Sequence, residues 1–134
     1  MAGGFHHVEL WVPDLARSAE SWGWLLESLG WRRYQDWPVG RSWRHGDAYL
    51  VVEQSPALTG DRHVRTAPGL NHVALHAEST SVVDRLHEDA GHHGWTRLFP
   101  ERYPFAGGDS HHAAYLSDRD GFEAEIVAPS PTED

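Results

Sequence analysis

The 134-residue chain contains no cysteine, so disulfides, thiolate nucleophiles and Cys–zinc sites are all excluded. No apolar run is long enough to span a bilayer, and the N-terminus lacks the cationic-then-apolar pattern of a signal peptide. Nor is there a basic run: the 11 Lys and Arg are dispersed among 20 Asp and Glu, giving a net charge of −9 with histidine neutral. Phosphate binding needs clustered cations, so nucleic acid is not an expected partner. A cytoplasmic location is expected. What the chain has in excess is histidine and tryptophan, 11 and 7 residues. Histidine is the commonest metal ligand, and tryptophan is costly to place without packing or a ligand. Length and an apolar content of 40% fit one domain able to bury a real core.

The sequence also repeats. Gly4-Phe5-His6-His7-Val8-Glu9-Leu10-Trp11 returns as Gly69-Leu70-Asn71-His72-Val73-Ala74-Leu75-His76, with Gly, His, Val and Leu in register. A helix-like stretch follows each segment, then Leu29-Gly30-Trp31 in one half and His93-Gly94-Trp95 in the other. Each half closes on a strand-like glutamate, Glu53 or Glu125. A duplicated unit that twice delivers one His and one Glu points to a two-fold metal site.

Period-two alternation over 6–12 puts Val8, Leu10 and Val12 on one strand face and His7, Glu9 and Trp11 on the other. Asp14 suits an N-cap, Leu15, Ala19, Trp22, Leu25, Leu26 and Leu29 recur at helical spacing, and Gly30 suits the position that ends the helix. A strand over 31–36, a turn at 37–40 and a hairpin over 42–54 turning at Gly46-Asp47 complete the first half. In the second, 72–77 alternates, Ser79-Thr80-Ser81 offers a cap, and a shorter helix ends near Gly91. Then come a strand over 95–99, a loop over 100–108 suited to a lid, and a hairpin of 111–117 and 122–128. The order is β-α-β-β-β twice: a first module at 4–54, a linker at 55–68, a second module at 69–128 and a frayed tail at 129–134. His7, Glu53, His72 and Glu125 each fall on the polar face of a strand whose other face is apolar.

His7-Val8-Glu9-Leu10-Trp11-Val12-Pro13-Asp14 resembles the opening His-x-x-apolar-x-Val-x-Asp pattern of the vicinal oxygen chelate superfamily, the glyoxalase, bleomycin-resistance and extradiol dioxygenase group. Tyr115-Leu116-Ser117-Asp118-Arg119-Asp120-Gly121-Phe122-Glu123-Ala124-Glu125 resembles its closing Tyr-x-x-Asp-Pro-Asp-Gly-x-x-x-Glu pattern, with Arg119 in place of the usual proline. The resemblance spans nearly the whole chain. It implies an α+β fold of two βαβββ modules whose curved mixed sheets enclose a cleft, with metal ligands on the first and last strands. By it His7 and His72 are the strand-opening ligands, Glu125 the last carboxylate ligand, and Glu53 a fourth ligand as in glyoxalase-like members. Tyr115 matches a position that faces the metal and can donate to an oxyanion.

Two His with one or two Glu suit Ni, Co, Mn, Zn or Fe(II), so one divalent ion is the expected cofactor. Glu9, Trp11, Arg44, His76 and His111 share strand parity with these ligands and are expected to line the substrate. The expected enzyme is a lyase or isomerase acting on a small molecule that chelates the metal through vicinal oxygens, with Glu125 or Glu53 moving the proton. If Glu53 does not bind, His7, His72 and Glu125 form a two-His-one-carboxylate set suited to an Fe(II) dioxygenase. A bleomycin-resistance-type binding protein is the remaining alternative. The expected partners are the small substrate and a second copy of the chain in a homodimer, with no membrane involved.

Overall fold

The computed structural model describes residues 2–130. The chain forms two compact units, Met1–Arg62 and His63–Asp134. The first contains β1 (His7–Trp11), α1 (Leu15–Ser28), β2 (Arg32–Trp37), β3 (Gly40–His45) and β4 (Ala48–Glu53). The second contains β5 (Val73–His76), α2 (Thr80–Asp89), β6 (Thr96–Leu98), β7 (Ala113–Ser117) and β8 (Glu123–Val127). Each unit builds a four-stranded sheet, ordered β1-β4-β3-β2 or β5-β8-β7-β6. The first strand of each pairs parallel with the last, and the other pairings are antiparallel. The β-α-β-β-β order read from the alternation is therefore present twice. The unit boundary falls inside the expected linker, so residues 63–68 belong with the second unit. Of the expected tail, residues 131–134 lie outside the described part of the chain.

Local signals explain α1. The Asp14 carboxylate accepts from Arg17 N at 3.0 Å, satisfying one of the amides that a helix start leaves unpaired. At the other end Gly30 takes φ +92°, its N–H reaching Glu27 O at 3.1 Å and Trp31 N reaching Leu26 O at 2.9 Å. This paired closure requires a left-handed residue, which glycine supplies without a Cβ clash. Leu15, Trp22, Leu25 and Leu26 are buried, as are Leu10, Val12, Leu50 and Val52 on the apolar faces of β1 and β4. In the second unit Val83 and Leu86 of α2 and Leu116, Ala124 and Ile126 of β7 and β8 are buried likewise.

The second helix ends at Asp89, two residues before Gly91. Ser79 caps α2 through Val82 N at 3.2 Å, but past Asp89 the chain adds a 3₁₀ turn, Ala90–His93. Gly94, at φ 84°, is the residue that turns left-handed. Trp95 N bonds Ala90 O at 3.1 Å, and both residues are buried, so the extra turn carries two apolar side chains inward before β6 starts.

The loop expected as a lid is tied to α2. Tyr103 stacks on His87 with ring centroids 3.7 Å apart, its hydroxyl donates to Asp84 Oδ1, and His112 Nε2 lies 2.9 Å from the same oxygen. Burial first, then the Arg97 charge, pushes His87 below the usual histidine range, against the pull of Asp84. A histidine depressed in the fold binds fewer protons than in the unfolded chain. Its contribution to stability is complete above about 6.5 and is lost as pH falls toward the depressed value. His87→Phe keeps a ring against Tyr103 and removes the titration. Its melting temperature is expected to fall less steeply than wild type from pH 7 to pH 5, as read by thermal denaturation. Parallel curves over that range would contradict this account of His87.

Candidate functional site

In the second unit, pairing of β5, β8 and β7 aligns Ala74, Glu125 and Tyr115 across the sheet. Side chains two residues apart on a strand share a face, so His72 and His76 project on the same side as Glu125. His111 and Tyr115 do so as well. Glu125 is only 6% exposed although this is the face the alternation marks as polar. Three side chains converge on its carboxylate. His72 Nε2 lies 3.1 Å from Oε1, and His111 Nε2 lies 2.5 Å from Oε2. Tyr115 also bonds to Glu125. Burial, then the negative charge of Glu125, that hydrogen bond and the charge of Glu123 push the Tyr115 phenol above its usual range. The phenol therefore stays a donor through neutral and mildly alkaline pH. A Cβ at Gly107 would collide with the Tyr115 hydroxyl and the His111 ring, so the bare glycine is what admits both side chains.

The tautomer of His72 follows from its neighbours. Asn71 Nδ2 donates to the Arg65 carbonyl at 3.0 Å, which fixes the amide and leaves Oδ1 to face His72 Nδ1 at 2.7 Å. An amide oxygen only accepts, so Nδ1 carries the proton. In the neutral ring Nε2 is then a lone pair aimed at a carboxylate oxygen. Two acceptors at 3.1 Å repel unless a proton or a metal cation sits between them. The same separation suits two adjacent ligands of one ion bound at about 2.1 Å. The pair thus fits a divalent metal in chemistry and in tautomer. Among the described residues no group of three or more His, Asp or Glu is gathered around one point as a finished cage.

The first unit repeats the plan with one change. His7, Glu9 and Trp11 pair with Tyr49, Val51 and Glu53, so all six share a face, and Arg44, opposite Tyr49, joins them. His7 stacks on Tyr49 at 4.8 Å, and its Nδ1 lies 2.9 Å from His6 Nδ1. Glu9 accepts from Trp11 Nε1 at 3.0 Å. Arg44 donates to Gly46 O at 2.9 Å, with its guanidinium 5.1 Å from the Tyr34 ring centroid. An open depression of about 380 Å³ is lined by residues that include His7, Glu9, Tyr49 and Val51. In the second unit, the residue two beyond the strand-opening histidine, Ala74, faces the glutamate. In the first, the corresponding Glu9 faces Val51. Val51 thus stands where the repeat would place a carboxylate. Glu53 lies opposite Trp11, two residues further along. It is four residues, about 13 Å, from His7's partner along the strand. The register therefore brings His72 to Glu125 and does not bring Glu53 to His7.

Residues 6–115 match the family model of the Glyoxalase/Bleomycin resistance protein/Dioxygenase superfamily. The chain belongs to that superfamily. It is 46% identical over 127 residues to the uncharacterized protein YqjT of Bacillus subtilis, covering 93% of this chain and 98% of that one. It is similar to the crystal structure of a candidate glyoxalase from Bacillus halodurans, with 41% identity, 96% and 97% of the two chains covered and a TM-score of 0.90. A glyoxalase/bleomycin resistance protein from Albidiferax ferrireducens T118 shares the fold at 21% identity, with 93% and 98% coverage and a TM-score of 0.76. No helix among the described residues is long and apolar enough to cross a membrane.

Within this superfamily chain, strand parity was sufficient to find the side chains of the candidate face. His111 contacts Glu125 directly and so stands nearer the chemistry than a lining residue, whereas His76, exposed and opposite Val127, has no such contact with Glu125. Asn71 and Gly107 escaped the sequence reading. Asn71 is the residue between the repeated Leu-or-Phe and His, where the first module has His6; that departure within the repeat is a signal for it. Gly107 has none, since its role depends on where Tyr115 and His111 converge.

Proposed function

We propose that this chain is a divalent-metal-dependent lyase or isomerase acting on a small substrate that presents two vicinal oxygens. The observation that carries this reading is His72 Nε2 facing the Glu125 carboxylate across 3.1 Å, with Asn71 Oδ1 at the other ring nitrogen. His72 and Glu125 would hold the ion, which when bound supplies Lewis-acid polarisation of the substrate oxygens. The chain's own residues supply proton handling. His111 donates Nε2–H to Glu125 Oε2, which leaves Nδ1 as its basic nitrogen and makes it the group to take a proton from substrate carbon. Tyr115 remains a phenol and donates to negative charge as it develops on oxygen. Glu125 orients both and shares their protons.

Val51 favours a second reading. With an apolar side chain at the carboxylate position of the first unit, the strand-opening histidines and Glu125 amount to two imidazoles and one carboxylate. That is the donor set of Fe(II) oxygenases. The two readings separate under argon. The chain loaded with Co(II) or Ni(II) is expected to exchange deuterium into the α-carbon of a small hydroxyketone without O₂, followed by proton NMR. O₂ uptake with a catechol by the Fe(II)-loaded chain, with no anaerobic exchange by any metal form, would replace the first reading by the second.

A further inference from the structure

The segment between the two sheets has more structure than a connector needs. From His63 onward it is laid against the end of β8 and the turn before it. His63 N bonds Asp120 O at 2.8 Å, and the His63 ring stacks on Phe122 with centroids 4.3 Å apart, the planes nearly parallel at 4°. His63 Nε2 then reaches forward to Leu70 O at 2.9 Å, closing the segment on itself. Arg65 pairs with Glu123 at 3.1 Å, and Glu123 is only 4% exposed. The buried carboxylate holds the partly exposed guanidinium beside it by charge, since Glu123 Oε1 has no hydrogen-bond partner. The Arg65 carbonyl is the acceptor that fixes the Asn71 amide, and Asn71 Oδ1 is the acceptor that fixes His72. A continuous series of contacts thus runs from buried Glu123 through Arg65 and Asn71 to the ring whose Nε2 faces Glu125.

From this we infer that residues 63–71 form a positioning strap, and that Asn71 is the positioning residue that, by accepting from His72 Nδ1–H, presents Nε2 to Glu125 and to a cation. The inference rests on the reading of His72 as a metal donor. It adds what keeps that donor available. Without an acceptor at Nδ1, the ring would move its proton to Nε2 and donate to Glu125 Oε1. The two side chains would then satisfy each other, and a cation would have to displace a formed hydrogen bond. Outer partners of this kind fix ring orientation and tautomer at metal sites.

The test uses the full-length, metal-free protein labelled with ¹⁵N. Long-range ¹H–¹⁵N correlation spectra report which ring nitrogen carries the proton, with His72→Gln assigning the His72 signals. Wild type is expected to carry a proton on Nδ1, alone or together with one on Nε2. Asn71→Leu, which removes the acceptor at an exposed position, is expected to show Nε2–H. Asn71→Asp retains an acceptor and is expected to restore Nδ1–H. Titration with Co(II) should then show affinity lowered on the order of 10–100-fold in Asn71→Leu and largely recovered in Asn71→Asp. An unchanged His72 protonation pattern in Asn71→Leu, or a wild-type ring whose only proton is on Nε2, overturns the proposal. The two levels fail separately. A tautomer that follows Asn71 in a chain that does not bind Co(II) upholds the strap and removes the metal reading. Tight Co(II) binding with a tautomer indifferent to Asn71 does the reverse.

Discussion

Glu125→Ala is expected to abolish stoichiometric divalent-metal binding and turnover together while the second sheet stays folded. Glu125 is the acceptor shared by His111 and Tyr115 and faces His72 Nε2, so its removal takes away a proposed ligand of the ion and the group that orients the two side chains proposed to handle protons. Loss of an orienting partner alone costs metal sites on the order of 10–100-fold in affinity, and loss of a direct ligand should exceed that. Folding cost is limited from two sides. The change leaves hydrogen-bond donors without their acceptor, at about 1–3 kcal/mol each where they are buried, but it also removes a desolvated charge. Glu125→Gln distinguishes charge from shape: it keeps an acceptor oxygen for Tyr115, so the fold should be near wild type, while metal affinity should still fall. Metal titration and thermal melting of both variants check this. A Glu125→Ala chain that still binds one equivalent with wild-type affinity would remove Glu125 from the site.

Trp22→Ala is expected to give the largest loss of stability of any single truncation in the first unit. Trp22 is fully buried on α1, the helix that packs against β3 and β4. Truncating a buried Trp or Phe to Ala typically costs about 3–5 kcal/mol, because the vacated volume is only partly refilled. Set against a total of about 5–15 kcal/mol for a small domain, that is enough to unfold a large fraction of molecules near physiological temperature. Trp22→Phe, which leaves a smaller cavity, should recover more than half of the loss. Chemical denaturation of the three chains measures it. A Trp22→Ala midpoint within experimental error of wild type would mean that α1 is not held to its sheet through this side chain.

Much of the architecture was legible because the physics that makes it is local. The period-two faces of His7–Trp11 and Val73–His76, the caps at Asp14 and Ser79, and the left-handed glycine at 30 each depend on a few neighbouring residues. The side that carries His72, Glu125, Tyr115 and His111 followed from parity alone. Position along the strand did not. Parity places Glu53 on the same face as His7, but the parallel pairing of β1 with β4 decides which residues are level, and it sets His7 beside Tyr49 and Glu9 beside Val51. A pairing register is a tertiary fact, fixed by the packing of α1 and the closing of two hairpins, and a step of two residues leaves every face unchanged. The same holds for Glu123 and Glu125. Alternation marks them polar, yet both are buried, because Arg65 in one case and His111, Tyr115 and His72 in the other cover them. The end of α2 near Gly91 was legible, but the 3₁₀ turn after it was not, because burial of Ala90 and Trp95 carries the chain one turn further to Gly94.

The central claim is that the His72–Glu125 pair is built to hold a cation. The direct measurement is calorimetric titration of metal-free wild type, His72→Ala and His7→Ala with Co(II), Ni(II), Mn(II) and anaerobic Fe(II). Wild type is expected to bind one equivalent of at least one of these ions, and His72→Ala none, with melting curves showing that the variant is folded. His7→Ala reports whether the strand-opening histidine of the first module also contributes. Wild-type protein that binds none of the four ions, or His72→Ala that binds as tightly as wild type, would contradict the claim.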